Sequence, residues 1–180
     1  MHDCNCRKQT PFVEALLDVV DKDLVRHPSS VVRASSVSVL NVAVVGMSAS
    51  LLSSRVLPTL STLAVDTDKA VRAASIDGYA AVVENAGDTD VLEAAANMFQ
   101  SFIEELPWAN VQHVLRAFMR VAPRADPMFR DEFVLPTLQM IAENSAAIEP
   151  KTARQDALTL LIECYQAVSC ICTLKRMVVF

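Results

Sequence analysis

Val56-Leu57-Pro58-Thr59-Leu60 decides the fold class, because the same five residues return as Val134-Leu135-Pro136-Thr137-Leu138, 78 positions further on. A second pair of segments, Val32-Arg33-Ala34-Ser35-Ser36-Val37 and Val71-Arg72-Ala73-Ala74-Ser75-Ile76, is offset by 39 positions, half that interval. Two unrelated pairs therefore share one period. A unit of about 40 residues falls in the range of HEAT and armadillo-like repeats. Each such unit is a pair of helices that buries its apolar face only by stacking on its neighbours.

The best-formed unit runs from Ser50 to Asn85. Pro58 falls inside its first helix and is expected to bend it, since proline lacks an amide and its ring crowds the carbonyl four residues back. Asp66 follows in the turn, where a carboxylate accepts backbone N–H groups at the next helix start. Arg72 lies early in the second helix and is expected within reach of a turn carboxylate. Arg33 is its counterpart one period earlier. Proline, turn aspartate and second-helix arginine look like the HEAT signature. An aspartate–arginine ladder of this kind would fix the stacking angle between units.

Working outward gives an all-α chain, an α-solenoid of about four HEAT-type hairpins spanning 11–173. The first pairs Pro11–Arg26 with Ser29–Val45, closed by Gly46. The second pairs Ser50–Val65 with Asp68–Asn85. The third pairs Thr89–Glu105 with Trp108–Val121, Pro107 fitting a first helical turn. The fourth pairs Pro127–Asn144 with Pro150–Thr173. Residues 1–10 read as a disordered N-terminus and 174–180 as a divergent tail. Gly78 sits mid-helix, at a cost of about 1 kcal/mol against alanine, and a close helix–helix approach is the simplest reason for it.

Composition agrees. The 180 residues are 52% hydrophobic but only 6% aromatic, with three glycines, fewer than strand proteins of this size use in their turns. A net charge of −5 argues against the concentrated basic face that nucleic acid requires. Cys4, Cys6, Cys164, Cys170 and Cys172 form no disulfide framework. The first residues carry no apolar signal segment, so a cytoplasmic, reducing compartment is expected. The charge-free stretch from Ala34 to Ser54 is long enough to span a bilayer, yet its serines and Gly46 fit a buried helix and turn, and no transmembrane helix is expected.

No phosphate-binding glycine loop, nucleophile elbow or metalloprotease motif occurs. His2, His27 and His113 are isolated. The Cys4/Cys6 and Cys170/Cys172 pairs lack the usual zinc spacing and read as no metal site. Neighbouring carboxylates such as Glu104 and Glu105 do not face each other on a helix. The chain is therefore expected to be no enzyme and to hold no cofactor. One surface pattern stands out. Arg116, Arg120 and Arg124 recur every four residues, Arg130 follows, and Trp108 opens the same helix. Arginine and tryptophan are enriched at interface hot spots, so these five are the candidate protein-binding residues, against the plainer reading of a solvated arginine face.

The run Phe129-Arg130-Asp131-Glu132-Phe133-Val134-Leu135-Pro136, preceded by Arg120-Val121-Ala122-Pro123, resembles the C-terminal HEAT region of the RELCH family, proteins with a LisH domain and HEAT repeats. Val32-Arg33, Arg55-Val56-Leu57-Pro58 and Ala167-Val168-Ser169-Cys170 fit the same region in the same order. The resemblance spans about Val31 to Cys172. It implies a cytoplasmic adaptor, peripheral to recycling endosomes and the trans-Golgi network. It also implies two protein partners, a recycling-endosome Rab GTPase and oxysterol-binding protein, bridged in cholesterol transport, with membrane association indirect through them. No catalytic residue carries over. The family's LisH, coiled-coil and earlier HEAT segments have no counterpart here, and Thr173–Phe180 leaves the family pattern, so a fragment is expected. The alternative is a generic HEAT scaffold of a phosphatase or nuclear-transport assembly, since fold alone does not assign function.

Overall fold

Proline, glycine and aspartate set the helix ends of this chain. The computed structural model describes the backbone of residues 6–105, 111–123, 125–149 and 151–177, and the side chains of 11–104, 111–123, 125–149 and 151–168. Every regular element among them is helical, and no strand forms. The chain divides into two units, Met1–Asn85 and Ala86–Phe180.

In the first unit, α1 (Cys6–Val19) runs into a π turn (Val20–Leu24) and is followed by α2 (Ser30–Ala43). Gly46, at φ +77, shapes the next turn in a conformation that side chains disfavour. The charge-free stretch is thus a helix, a turn and a second helix start, and no described helix is long and apolar enough to cross a membrane. Next come α3 (Ala49–Leu51), a π turn (Leu52–Val56), α4 (Leu57–Ala64) and α5 (Lys69–Asn85). Helix α5 packs against both α2 and α4. Leu17, Leu40, Leu52, Leu60, Leu63, Ile76 and Tyr79 fill the core between them.

The proline does more than bend its helix. The Leu57 N–H reaches five residues back to the Leu52 carbonyl, and Pro58 follows at once. In the other copy the Leu135 N–H reaches the Arg130 carbonyl, and Pro136 follows. A π turn widens the helix where the proline ring would otherwise meet the carbonyl four residues back. The repeated pentapeptide is therefore a repeated local structure. Its threonines, Thr59 and Thr137, are both buried.

Gly78 marks a close approach. A Cβ placed there would lie 2.4 Å from Leu60 Cδ2 and 3.1 Å from Val37 Cγ1. Three helices, α2, α4 and α5, converge where this glycine leaves no side chain. Beside it the Tyr79 hydroxyl pairs with Ser61 Oγ at 3.0 Å, and burial pushes its pKa up to about 12.

The second unit contains α6 (Thr89–Glu105), α7 (Val111–Val121), a π turn (Phe129–Val134), α8 (Leu135–Asn144), a short 3₁₀ turn (Ser145–Ala147) and α9 (Lys151–Met177). Helix α7 packs on α9, and α8 packs beside α9. Helix α9 continues past Thr173 into the segment that the sequence sets apart as a tail. Phe99, Phe118, Phe133 and Phe129 form a chain of ring contacts with centroids 5.2–6.4 Å apart. Tilted and edge-on geometries of this kind suit the ring quadrupoles.

Cys164 is fully buried in α9, and its thiol donates to the Leu115 carbonyl of α7 at 3.1 Å. Burial pushes its pKa up to about 12. Since the thiolate is the reactive species, Cys164 is expected to stay unlabelled by a thiol reagent at neutral pH until the unit unfolds. Peptide mapping after brief labelling of folded and denatured protein checks this, and rapid labelling in the folded protein would contradict it.

Candidate functional site

The polar side chains build an arginine framework around the turns of the first unit and leave an arginine face on the second. Arg33 Nε and Nη2 donate to the two oxygens of Asp66, at 2.7 and 2.9 Å. Both side chains are largely buried, and the paired fork holds the Asp66 carboxyl below its ordinary range. Arg33 therefore ties α2 to the turn ahead of α5.

Each arginine also secures the turn before its own helix. Arg33 Nη1 donates to the carbonyls of His27 and Pro28 at 2.9 and 3.0 Å. Arg72 Nη1 donates to those of Asp66 and Thr67 at 2.6 and 3.0 Å. Arg154 Nε donates to the Ile148 carbonyl at 3.1 Å. In all three, one acceptor lies six residues before the arginine. This corrects two sequence expectations. Arg72 bonds backbone carbonyls, not a turn carboxylate. Asp66 does not cap α5: its Oδ1 accepts the Asp68 N–H at 2.8 Å, and Asp68 Oδ1 accepts the Ala70 N–H at 2.8 Å. With Asp66 engaged by Arg33, the capping falls to the next aspartate.

A second link carries no motif in the sequence. Arg55 Nη2 donates to Asp18 Oδ1 and Asp21 Oδ2, both at 2.8 Å, and the Thr59 hydroxyl donates to Asp21 Oδ1. Arg55 holds the Asp18 carboxyl below its ordinary range. This joins the π turn ahead of Pro58 to the end of the first helix. The available signal was the spacing of Asp18 and Asp21, three residues apart on one helix face, 37 and 34 residues before Arg55. Pro58 itself flanks this network on an exposed surface.

In the second unit, α7 buries Val111, Val114, Leu115, Ala117, Phe118 and Val121. That leaves Arg116 and Arg120 exposed, one helical turn apart. Arg130 does not join them. It is only 5% exposed, and its Nε and Nη2 pair with Asp131 at 2.6 and 3.0 Å. It lies in the π turn (Phe129–Val134), a separate element from α7, which ends at Val121, so the α7 face does not extend to it. Trp108 and Arg124 lie outside the described residues, as do the side chains of His2, Cys4, Cys6, Cys170 and Cys172. Among the described residues, no group of three or more His, Cys, Asp or Glu side chains could hold a metal ion.

The family model for the C-terminal domain of the RAB11-binding protein RELCH matches residues 6–179. The RAB11-binding protein RELCH homolog of Danio rerio is 36% identical over 166 residues, 88% of this chain and 14% of that protein. The RAB11-binding protein RELCH of Homo sapiens and that of Mus musculus are each 36% identical over 166 residues, 88% of this chain and 13% of theirs. The chain thus spans about 13–14% of the length of these curated relatives. No solved structure matches it.

Proposed function

Since this chain belongs to the family of RELCH C-terminal domains, we propose that it is a HEAT-repeat adaptor that binds a Rab GTPase and carries out no chemistry of its own. The family match over nearly the whole chain carries this reading, because the matched relatives are named for binding RAB11. The repeated π-turn–proline element and the arginines that brace successive turns support a stack of HEAT hairpins, an α-solenoid. The finer reading adds oxysterol-binding protein as a second partner, with a cytoplasmic adaptor linking recycling endosomes to the trans-Golgi network in cholesterol transport.

The exposed Arg116 and Arg120 are the surface proposed for the Rab. Planar guanidinium forks suit carboxylates, and basic side chains on an acidic chain steer an acidic patch toward them. The test is retention of RAB11 on the immobilised chain, and of oxysterol-binding protein in a separate reaction. The comparison protein carries Arg116→Glu with Arg120→Glu. The parent is expected to retain both partners. The double reversal is expected to lose RAB11 by at least about tenfold, 1.4 kcal/mol, with its helical circular dichroism unchanged. Equal retention by both proteins would move the interface elsewhere, and no retention by the folded parent would overturn the adaptor reading.

A further inference from the structure

A groove in the second unit belongs to neither the arginine face nor the turn framework. Its floor is apolar: Leu92 of α6 and Phe129 are buried, and Phe133 is half-buried. Met128 stands at the lip, 62% exposed. The groove measures about 370 Å³ and is open to solvent, which is room for one or two large side chains. The floor is preformed. Phe129 and Phe133 lie 5.2 Å apart, and Phe133 continues into Phe99 and Phe118, so packed rings behind the floor keep it from collapsing.

The rim is acidic. Glu93, Asp126 and Glu132 surround the apolar floor, and no described lysine or arginine lines it. Glu93 and Glu132 are exposed. Asp126 Oδ1 accepts the Met128 N–H at 2.8 Å, which fixes the lip. A negative rim around an apolar slot selects its occupant by charge as well as by shape. An acidic ligand would be repelled, and a purely apolar one would leave the carboxylates without counter-charges. The match is an apolar anchor with cationic side chains on either side. Met128 supplies an unbranched, polarizable lip that adapts to differing anchors.

We propose that this groove docks a polypeptide segment presenting a large apolar side chain flanked by lysine or arginine. The site stands whether or not the chain binds a Rab. The test is fluorescence anisotropy of the full chain with a labelled probe peptide, Lys-Lys-Ser-Leu-Phe-Lys-Lys. Two control peptides replace the lysines with glutamate or the Leu-Phe pair with serine. The lysine peptide is expected to bind saturably, and both controls at least about tenfold more weakly. The variant Glu93→Lys with Glu132→Lys, both at exposed positions, is expected to keep its helical spectrum and to lose at least about tenfold in affinity. Added salt should weaken the parent complex. Equal binding of all three peptides, undiminished binding by the reversed variant, or no binding at all would overturn the proposal. So would a dimer in sedimentation that the same charge reversal abolishes, because a second copy would then be the occupant.

Discussion

Gly78→Val is expected to lower the free energy of unfolding by about 3 kcal/mol, the upper end of the usual cost of overpacking a core. Two effects of opposite sign meet at this position. Any side chain in place of glycine limits the unfolded chain and improves helix propensity, by about 1 kcal/mol for alanine. Against that, the first added carbon would stand 2.4 Å from Leu60 Cδ2 and 3.1 Å from Val37 Cγ1. Leu60 and Val37 are both buried, so neither can swing out to solvent. Valine adds two more methyl groups and gives up part of the propensity gain through its branched Cβ. Gly78→Ala should therefore cost much less than Gly78→Val. Leu60→Ala, itself costing about 2–5 kcal/mol, should make Gly78→Ala less harmful than in the parent. Urea denaturation of the four members of that cycle checks the coupling. Strict additivity would show that α4 and α5 do not meet at this glycine.

Asp66→Ala is expected to cost about 2 kcal/mol, the range for losing charge-assisted hydrogen bonds in a largely buried setting. It removes the acceptor for the Arg33 fork and for the Asp68 N–H together. Asp66→Asn separates the two, because the amide oxygen still accepts the Asp68 N–H while the ion pair is lost. The pH dependence follows from the direction of the pKa shift. Arg33 holds the Asp66 carboxyl below its ordinary 3.8 in the folded protein. The pair's contribution is thus fully present above pH 3.8 and is lost as pH falls through the lowered folded value. The stability gap between the parent and Asp66→Asn should hold steady from neutral pH down to about 4 and close below it. The Asp18 carboxyl, also held low by Arg55 and Lys22, titrates in both proteins and cancels in the difference. A gap independent of pH across that range would contradict the ion pair.

The helical class was legible because its signals are local and repeated. The two Val-Leu-Pro-Thr-Leu copies and the Val-Arg pairs carry the period, and Gly46 shapes the turn after α2 in a left-handed conformation that favours glycine. What stayed hidden depends on distant partners. Asp66 and Asp68 are both plausible caps by type, and the choice is made by Arg33, 33 residues away. Arg55 shows no motif of its own until Asp18 and Asp21 are brought to it. Arg130 follows the Arg116 and Arg120 stripe closely in sequence, yet it belongs to a separate element, because α7 ends at Val121 and the π turn begins at Phe129, so the 3.6-residue phase of α7 does not extend to it. The acidic groove was missed for a related reason. Its floor comes from Leu92 and Phe129, which no single helix period connects.

The most direct measurement is isothermal titration of the folded chain with RAB11, loaded in one series with a non-hydrolysable GTP analogue and in the other with GDP. Rab GTPases order their switch segments around the γ-phosphate, and an adaptor recruited by the active form reads that difference. The account predicts saturable binding to the GTP-loaded form, at least about tenfold tighter than to the GDP-loaded form, 1.4 kcal/mol or more. It predicts that Arg116→Glu with Arg120→Glu abolishes this preference while leaving the helical spectrum intact. Absence of binding to either form by a chain that remains folded would contradict it.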